Sequence, residues 1–155
     1  LTGVGANDVA RVLTSMKGQR GLCSRLSALY AELDELTDSP ARLGGMTVGG
    51  SSHTNSISDS TFRDSMNLML ATKKIETSID SIERAIGAVG TCLSSMKHGD
   101  VVADYYLDDS GEITWQALAD ESGVSFRTVI NWRNRCLSEM AERSASWLPS
   151  CEWLL

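Results

Sequence analysis

The chain has 155 residues and a mass of 16.8 kDa, the size of one compact domain or of a small domain with an extended appendage. Hydrophobic residues make up 42%, enough for a core, while aromatics at 6% and only 2 prolines argue against a β-sandwich or barrel. The net charge of −6 excludes gripping nucleic acid by bulk basicity, though it leaves room for a local basic face.

No run approaches the ~18 apolar residues of a membrane span. The start, Leu1-Thr2-Gly3-Val4-Gly5, lacks a basic region followed by an apolar one. A cytoplasmic protein with no membrane partner is therefore expected. Cys23, Cys92, Cys136 and Cys151 form no CxxC pair and fit neither a zinc ribbon nor a disulfide framework, so reduced thiols packed as small hydrophobes are expected. His53, in a polar loop, and His98, at a helix end, have no second ligand at useful spacing. Neither a metal nor a cofactor is expected.

The first element predicted is a helix over about 7–36. Asn7 or Asp8 can cap its start. Val9, Val12, Leu13, Met16, Leu22, Cys23, Leu26, Leu29, Tyr30, Leu33 and Leu36 then make one apolar face. Gly18 and Gly21 each cost ~1 kcal/mol relative to Ala and predict a soft spot or bend. Residues 37–60, rich in Gly and Ser and without apolar period, read as a loop. They contain neither GxxxxGK[ST] nor GxGxxG, so a phosphate cradle is not indicated.

The clearest period lies in a second long helix, about 59–97. Leu68, Thr72, Ile75, Ile79, Ile82, Ile86, Val89, Leu93 and Met96 alternate steps of four and three, a heptad seam. The opposite face carries Lys73, Lys74, Glu76, Asp80, Glu83 and Arg84. A lone helix cannot bury such a seam. The two stripes and the long loop predict an all-α fold in which a long antiparallel helical hairpin (1–98) precedes a C-terminal module (99–155). Pairing with a second subunit is the close competitor for the seam. Gly18 and Gly21 leave part of it thinly covered, and a homodimer through Ile75, Ile79, Ile82, Ile86 and Leu93 is expected.

In the C-terminal part, Lys97-His98-Gly99-Asp100 reads as a helix stop at Gly99 and a restart capped by Asp100. Short helices are predicted over Val101–Leu107 and Trp115–Ser122, and a longer one from Phe126 to about Ala145. Trp115 to Asn134 meets the demands of a helix-turn-helix that reads DNA. Ala119 permits close crossing and Gly123 supplies positive φ at the turn. Leu118, Val124, Val129 and Trp132 fall on buried positions. Ser122, before the turn glycine, is smaller than that position usually holds. The alternative is an ordinary pair of short helices in a bundle. The candidate DNA-binding residues are Gln116, Ser125, Phe126, Arg127, Thr128, Asn131, Asn134 and Arg135. Arg127 and Asn131 suit guanine and adenine edges, while Arg133 and Arg135 suit phosphates.

Residues 99–155 hold ten acids and four bases, so this module carries the whole acidic excess. That weighs against strong autonomous DNA binding. All four bases lie on the third predicted helix, however, and useful binding is expected from a dimer or beside a partner.

The run Tyr105-Tyr106-Leu107, a turn, and Thr114 through Val129 resembles the promoter-reading helix-turn-helix at the C-terminal end of bacterial sigma factors. Leu118-Ala119 stands at the family's Ile-Ala pair, and Ser125 with Thr128-Val129 at its Ser-x-x-Thr-Val. The order of parts is similar to small phage and prophage late transcriptional regulators of RinA/ArpU type. That resemblance covers the C-terminal third closely and the rest only in layout. It implies a transcriptional regulator that binds double-stranded DNA upstream of phage late genes. Gln116-Ala117, the acidity and the Trp-rich tail depart from the pattern.

The tail holds Trp147, Leu148, Trp153, Leu154 and Leu155, split by Pro149. It is expected to fold back on the helix-turn-helix or the hairpin, with a subunit or RNA polymerase contact as the sharper alternative. No nucleophile–base pair, paired carboxylates or metal-ligand set points to an enzyme. Two other readings compete with the regulator. One is a DNA-packaging adaptor of small-terminase type, which usually places its DNA-binding module first. The other is a helical protein-interaction module without DNA binding, which the acidity favours.

Overall fold

The computed structural model describes residues 3–18, 20–37, 59–108 and 110–155, with 59 and 60 described by backbone alone. Of the expected loop 37–60, the ends are helical and the interior, including His53, lies outside the described residues. Among the described residues the fold is all-α, with seven helices, one short 3₁₀ turn and no strand. They are α1 (Ala6–Met16), α2 (Leu22–Thr37), α3 (Asp59–Ser94), α4 (Gly99–Tyr106), α5 (Trp115–Ser122), α6 (Phe126–Glu142) and α7 (Ser144–Cys151), then the turn Glu152–Leu154. This order is compatible with a helical hairpin followed by C-terminal helices. No helix among the described residues is long and apolar enough to cross a membrane.

The expected first helix is two helices. Lys17 turns to extended backbone at the end of α1, and Gly18 sits at φ 87, a left-handed conformation that L side chains rarely adopt. Gly21 is buried, and a Cβ there would strike the Lys17 carbonyl. The two glycines predicted to soften the helix therefore end it.

The chain forms two compact units, and they divide elsewhere than at the expected 98/99 boundary. One comprises the described residues of 27–80 and the other those of 1–26 and 81–155. In the first, Leu29, Leu33 and Leu36 of α2 and Leu68 of α3 are half-buried, while Ile75 and Ile79 are buried. In the second, α6 is the central element, packed against α1, α4 and α5. Val9, Val12, Leu13 and Met16 of α1 are buried, so the N-terminal helix is part of the core that carries the helix-turn-helix.

At the restart after α3 the structure corrects the expected caps. His98, not Gly99, takes the left-handed conformation (φ 62), and it precedes α4 in place of Asp100. Gly99 is helical and buried, and a Cβ on it would run into the Leu93 carbonyl. Close approach, rather than positive φ, requires glycine there. His98 is held by its ring, which stacks on Trp132 of α6 at 3.8 Å between centroids and 4° between planes.

The tail folds back, as expected. The third predicted helix stops at Glu142 and α7 follows after Arg143, continuing through Pro149. Trp147 is fully buried, and its indole Nε1 donates to the Met140 carbonyl at 2.8 Å. Cys151 is also fully buried, its thiol 3.7 Å from the Ala85 carbonyl of α3. Burial of these side chains on either side of Pro149 offsets the backbone hydrogen bond the proline forgoes. Trp153 and Leu155 remain about half exposed.

The seam of α3 is where it was expected, but it is not a free surface. Ile75, Ile79, Ile82, Val89, Leu93 and Met96 are buried within one chain, Ile82 being only 3% exposed, and Ile86 is half-buried. Most of the strip on which the expected dimer contact rested is therefore covered within one chain.

All four cysteines are buried, and no disulfide joins them. Burial pushes the thiols of Cys136 and Cys151 up from 9.0 to about 11. The fold thus favours the neutral thiol, and this contribution is intact below about 9 and is lost as pH rises towards about 11. Thermal stability of the wild type is expected to fall more steeply across that range than that of a Cys136→Ala/Cys151→Ala variant. Parallel melting curves would show that the thiols ionise freely in the native protein.

Candidate nucleic-acid interface

The helix-turn-helix is built by local chemistry at three points. Thr114 caps α5, its hydroxyl accepting from the Ala117 amide at 3.1 Å. The helix ends with Gly123 at φ 71, where the Gly123 amide donates to Asp120 O at 3.3 Å and the Val124 amide to Ala119 O at 3.0 Å. These paired bonds are a Schellman motif, which satisfies two of the last carbonyls and turns the chain sharply. Ser125 caps α6, its hydroxyl accepting from the Thr128 amide at 3.2 Å.

Leu118, Ala119 and Val129 form the buried centre of the crossing. Val124 and Trp132, also expected there, pack against it half-buried, together with Val101, Tyr105, Ile113 and Trp115. Ala119 is fully buried, as close crossing of two helices requires. Tyr105 stacks on Trp115 at 3.8 Å, and Tyr106 meets the same ring edge-on at 5.7 Å.

Opposite this core, α6 presents Arg127, Asn131 and Asn134 in steps of four and three, all exposed. Arg135 is exposed beside them, and Phe126, at the first position of the helix, is 47% exposed. The arrangement brings polar donors and one aromatic ring to the outer face and N-terminal end of α6. The remaining sequence-predicted residues are engaged locally. The hydroxyls of Ser125 and Thr128 lie 2.8 Å apart at the cap, with Thr128 half-buried. Gln116 donates its side-chain amide to Asp120 at 2.9 Å.

Arg133 is not set up as a phosphate contact. It is half-buried, its Nε donates to the Tyr106 hydroxyl at 2.8 Å, and its NH1 donates to the Asn134 amide oxygen at 2.9 Å. It ties α6 to α4 and steadies Asn134. Arg143 lies beyond the end of α6, where it donates to the Ser95 hydroxyl, just past the end of α3, at 3.0 Å and pairs with Glu139 at 3.4 Å. The basic character of the outer face of α6 therefore rests on Arg127 and Arg135.

Asp100 and Asp104 lie on α4, and Asp120 and Glu121 on α5. Burial, with Asp100 and Glu121 nearby, pushes the Asp104 carboxyl above the usual carboxylate range. In the α4–α5 turn, hydrogen bonds from Ser110 and from the backbone hold Asp108 below it.

One residue that positions the module has no local sequence signal. Lys17 donates to the carbonyls of Tyr105 at 2.7 Å and Ile113 at 3.1 Å, and its ammonium lies 3.7 Å from the centre of the Tyr105 ring. It thus clasps both ends of the turn that aims α5. Partial burial lowers its pKa, and Asp108 opposes that shift. Beside it, a Cβ on Gly111 would lie 2.6 Å from the Cα of Gly18, so the two glycines let the α1–α2 break and the α4–α5 turn touch backbone to backbone.

Among the described residues no group of three His, Cys, Asp or Glu side chains is placed to hold a metal ion. No family model, curated protein or solved structure matches this chain.

Proposed function

We propose that this protein is a DNA-binding transcriptional regulator of the phage or prophage late type, reading duplex DNA with α6. The observation that carries this reading is the helix–Schellman turn–helix unit with Arg127, Asn131 and Asn134 exposed in register on the second helix. The resemblance of residues 105–129 to the sigma-factor promoter reader supports the same role. Arg127 suits bidentate recognition of guanine and Asn131 that of adenine. Phe126, exposed at the helix start, is placed to meet a thymine methyl. Arg135 supplies a phosphate contact at the edge. Two such cations are few, so affinity is modest for one module and rises when two modules occupy successive half-sites. The acids on α4 and α5 disfavour phosphate contact there and suit a protein partner such as RNA polymerase.

Gel shifts with DNA from the host and its prophages test this. Arg127→Ala is expected to cost about 1–3 kcal/mol of specific binding. Arg135→Ala is expected to weaken all sequences alike and to flatten the salt dependence. No shift by wild-type protein at low salt would end the DNA-binding reading.

A further inference from the structure

The unit formed by the described residues of 27–80 carries an exposed apolar row of its own. On the N-terminal part of α3, Phe62 is 58% exposed, Met66 41%, Met69 66% and Leu70 59%. The half-buried Leu68 and Thr72 and the buried Ile75 lie on the other side of the same helix, so this is a second stripe and not part of the seam. Phe62, Met66 and Met69 continue to the exposed Lys73, in steps of four, three and four. An unsupported apolar row of this kind is unfavourable in water and marks an interaction surface.

We infer that this row is the homodimer contact, pairing with the same row of a second copy in antiparallel orientation. The steps read the same in both directions, as a self-complementary antiparallel pairing requires. Antiparallel pairing sets Met66 on the partner's Met69 and Phe62 on the partner's Lys73, an ammonium over an aromatic face. The aliphatic stem of Arg63 flanks the partner's Leu70. Parallel pairing would instead stack Lys73 on the partner's Lys73 inside the contact, bringing like charges together. The lysine thus selects both the orientation and the partner: a second copy turned end for end. The contact is defined without reference to DNA, so its failure and the failure of the DNA-binding reading are separate results.

Light scattering and cross-linking on the full chain test this. Wild-type protein is expected at about twice 16.8 kDa at micromolar concentration. Met66→Glu/Met69→Glu is expected at the single-chain mass with unchanged helicity, since both positions are exposed. Under mild oxidation Phe62→Cys/Lys73→Cys is expected to form a covalent dimer. Phe62→Cys alone is not, because antiparallel pairing sets the two copies of position 62 roughly 16 Å apart along the axis. The native cysteines are buried and contribute little background. A monomeric wild type, a dimer that survives the double glutamate, a larger ring, or cross-linking of Phe62→Cys alone would each overturn the inference.

Discussion

Trp147→Ala is expected to lose about 3–5 kcal/mol of stability, measured as the shift in a urea unfolding curve. Trp147 is the largest of the fully buried side chains, and its indole N–H is donated to the Met140 carbonyl at 2.8 Å. Truncation leaves a cavity beside α6 and removes a donor from a buried acceptor. With total stabilities of roughly 5–15 kcal/mol for a domain, a loss of that size brings the chain near unfolding. Trp147→Phe separates the two contributions. It keeps most of the volume but not the donor, so a smaller loss of about 1–3 kcal/mol is expected. An alanine variant less than about 1 kcal/mol below wild type would mean that the tail does not hold the core together.

Ile82→Asp is expected to unfold the chain rather than merely separate subunits. Ile82 is 3% exposed within one protomer, in the middle of the α3 seam. The substitution removes a buried aliphatic side chain and places a carboxylate in apolar surroundings, a combination expected to exceed about 4 kcal/mol. Circular dichroism should show lost helicity at 25 °C. Ile82→Val, which removes a single methylene, should cost only about 0.5–1.5 kcal/mol and leave the mass in solution unchanged. A folded Ile82→Asp protein of altered mass would place the seam between subunits, and the α3 N-terminal row would then lose its standing as the dimer contact.

These two positions differ in how readily the sequence shows their roles. Ile82 belongs to a heptad period that repeats over several turns, and a helical face is a local property of spacing. Trp147 sits near Pro149 in a segment too short for a period, so the sequence shows only a tail that folds back and not which of its side chains is the buried one. The caps of the helix-turn-helix behave like the seam. Thr114, Gly123 and Ser125 act within a few residues of themselves, and all three take the backbone roles that their side chains imply. The candidate interface was legible as far as local chemistry reaches. Arg127, Asn131, Asn134 and Arg135 are exposed on α6 as expected, whereas Arg133, read as a phosphate contact, bonds Tyr106 on α4 instead. Arg133 and Arg135 look alike in the sequence, and only the packing of α4 against α6 distinguishes them.

The sequence by itself determined an all-α chain, the buried seam of α3, the interruption near Gly18 and Gly21, and the capped turn of the helix-turn-helix. Each follows from hydrogen bonds and apolar spacing within about two turns of helix. The tertiary structure alone decided which surfaces meet. Apolar spacing shows that α1 must be covered but not by what, and the cover proves to be α4 and α6 rather than the length of α3. The same holds for Lys17, whose carbonyl partners lie 88 and 96 residues away, and for the Gly18–Gly111 approach. A lysine and two glycines carry no mark of such distant partners. Their conformations are selected only when burial of the α1 face brings the break after it against the α4–α5 turn.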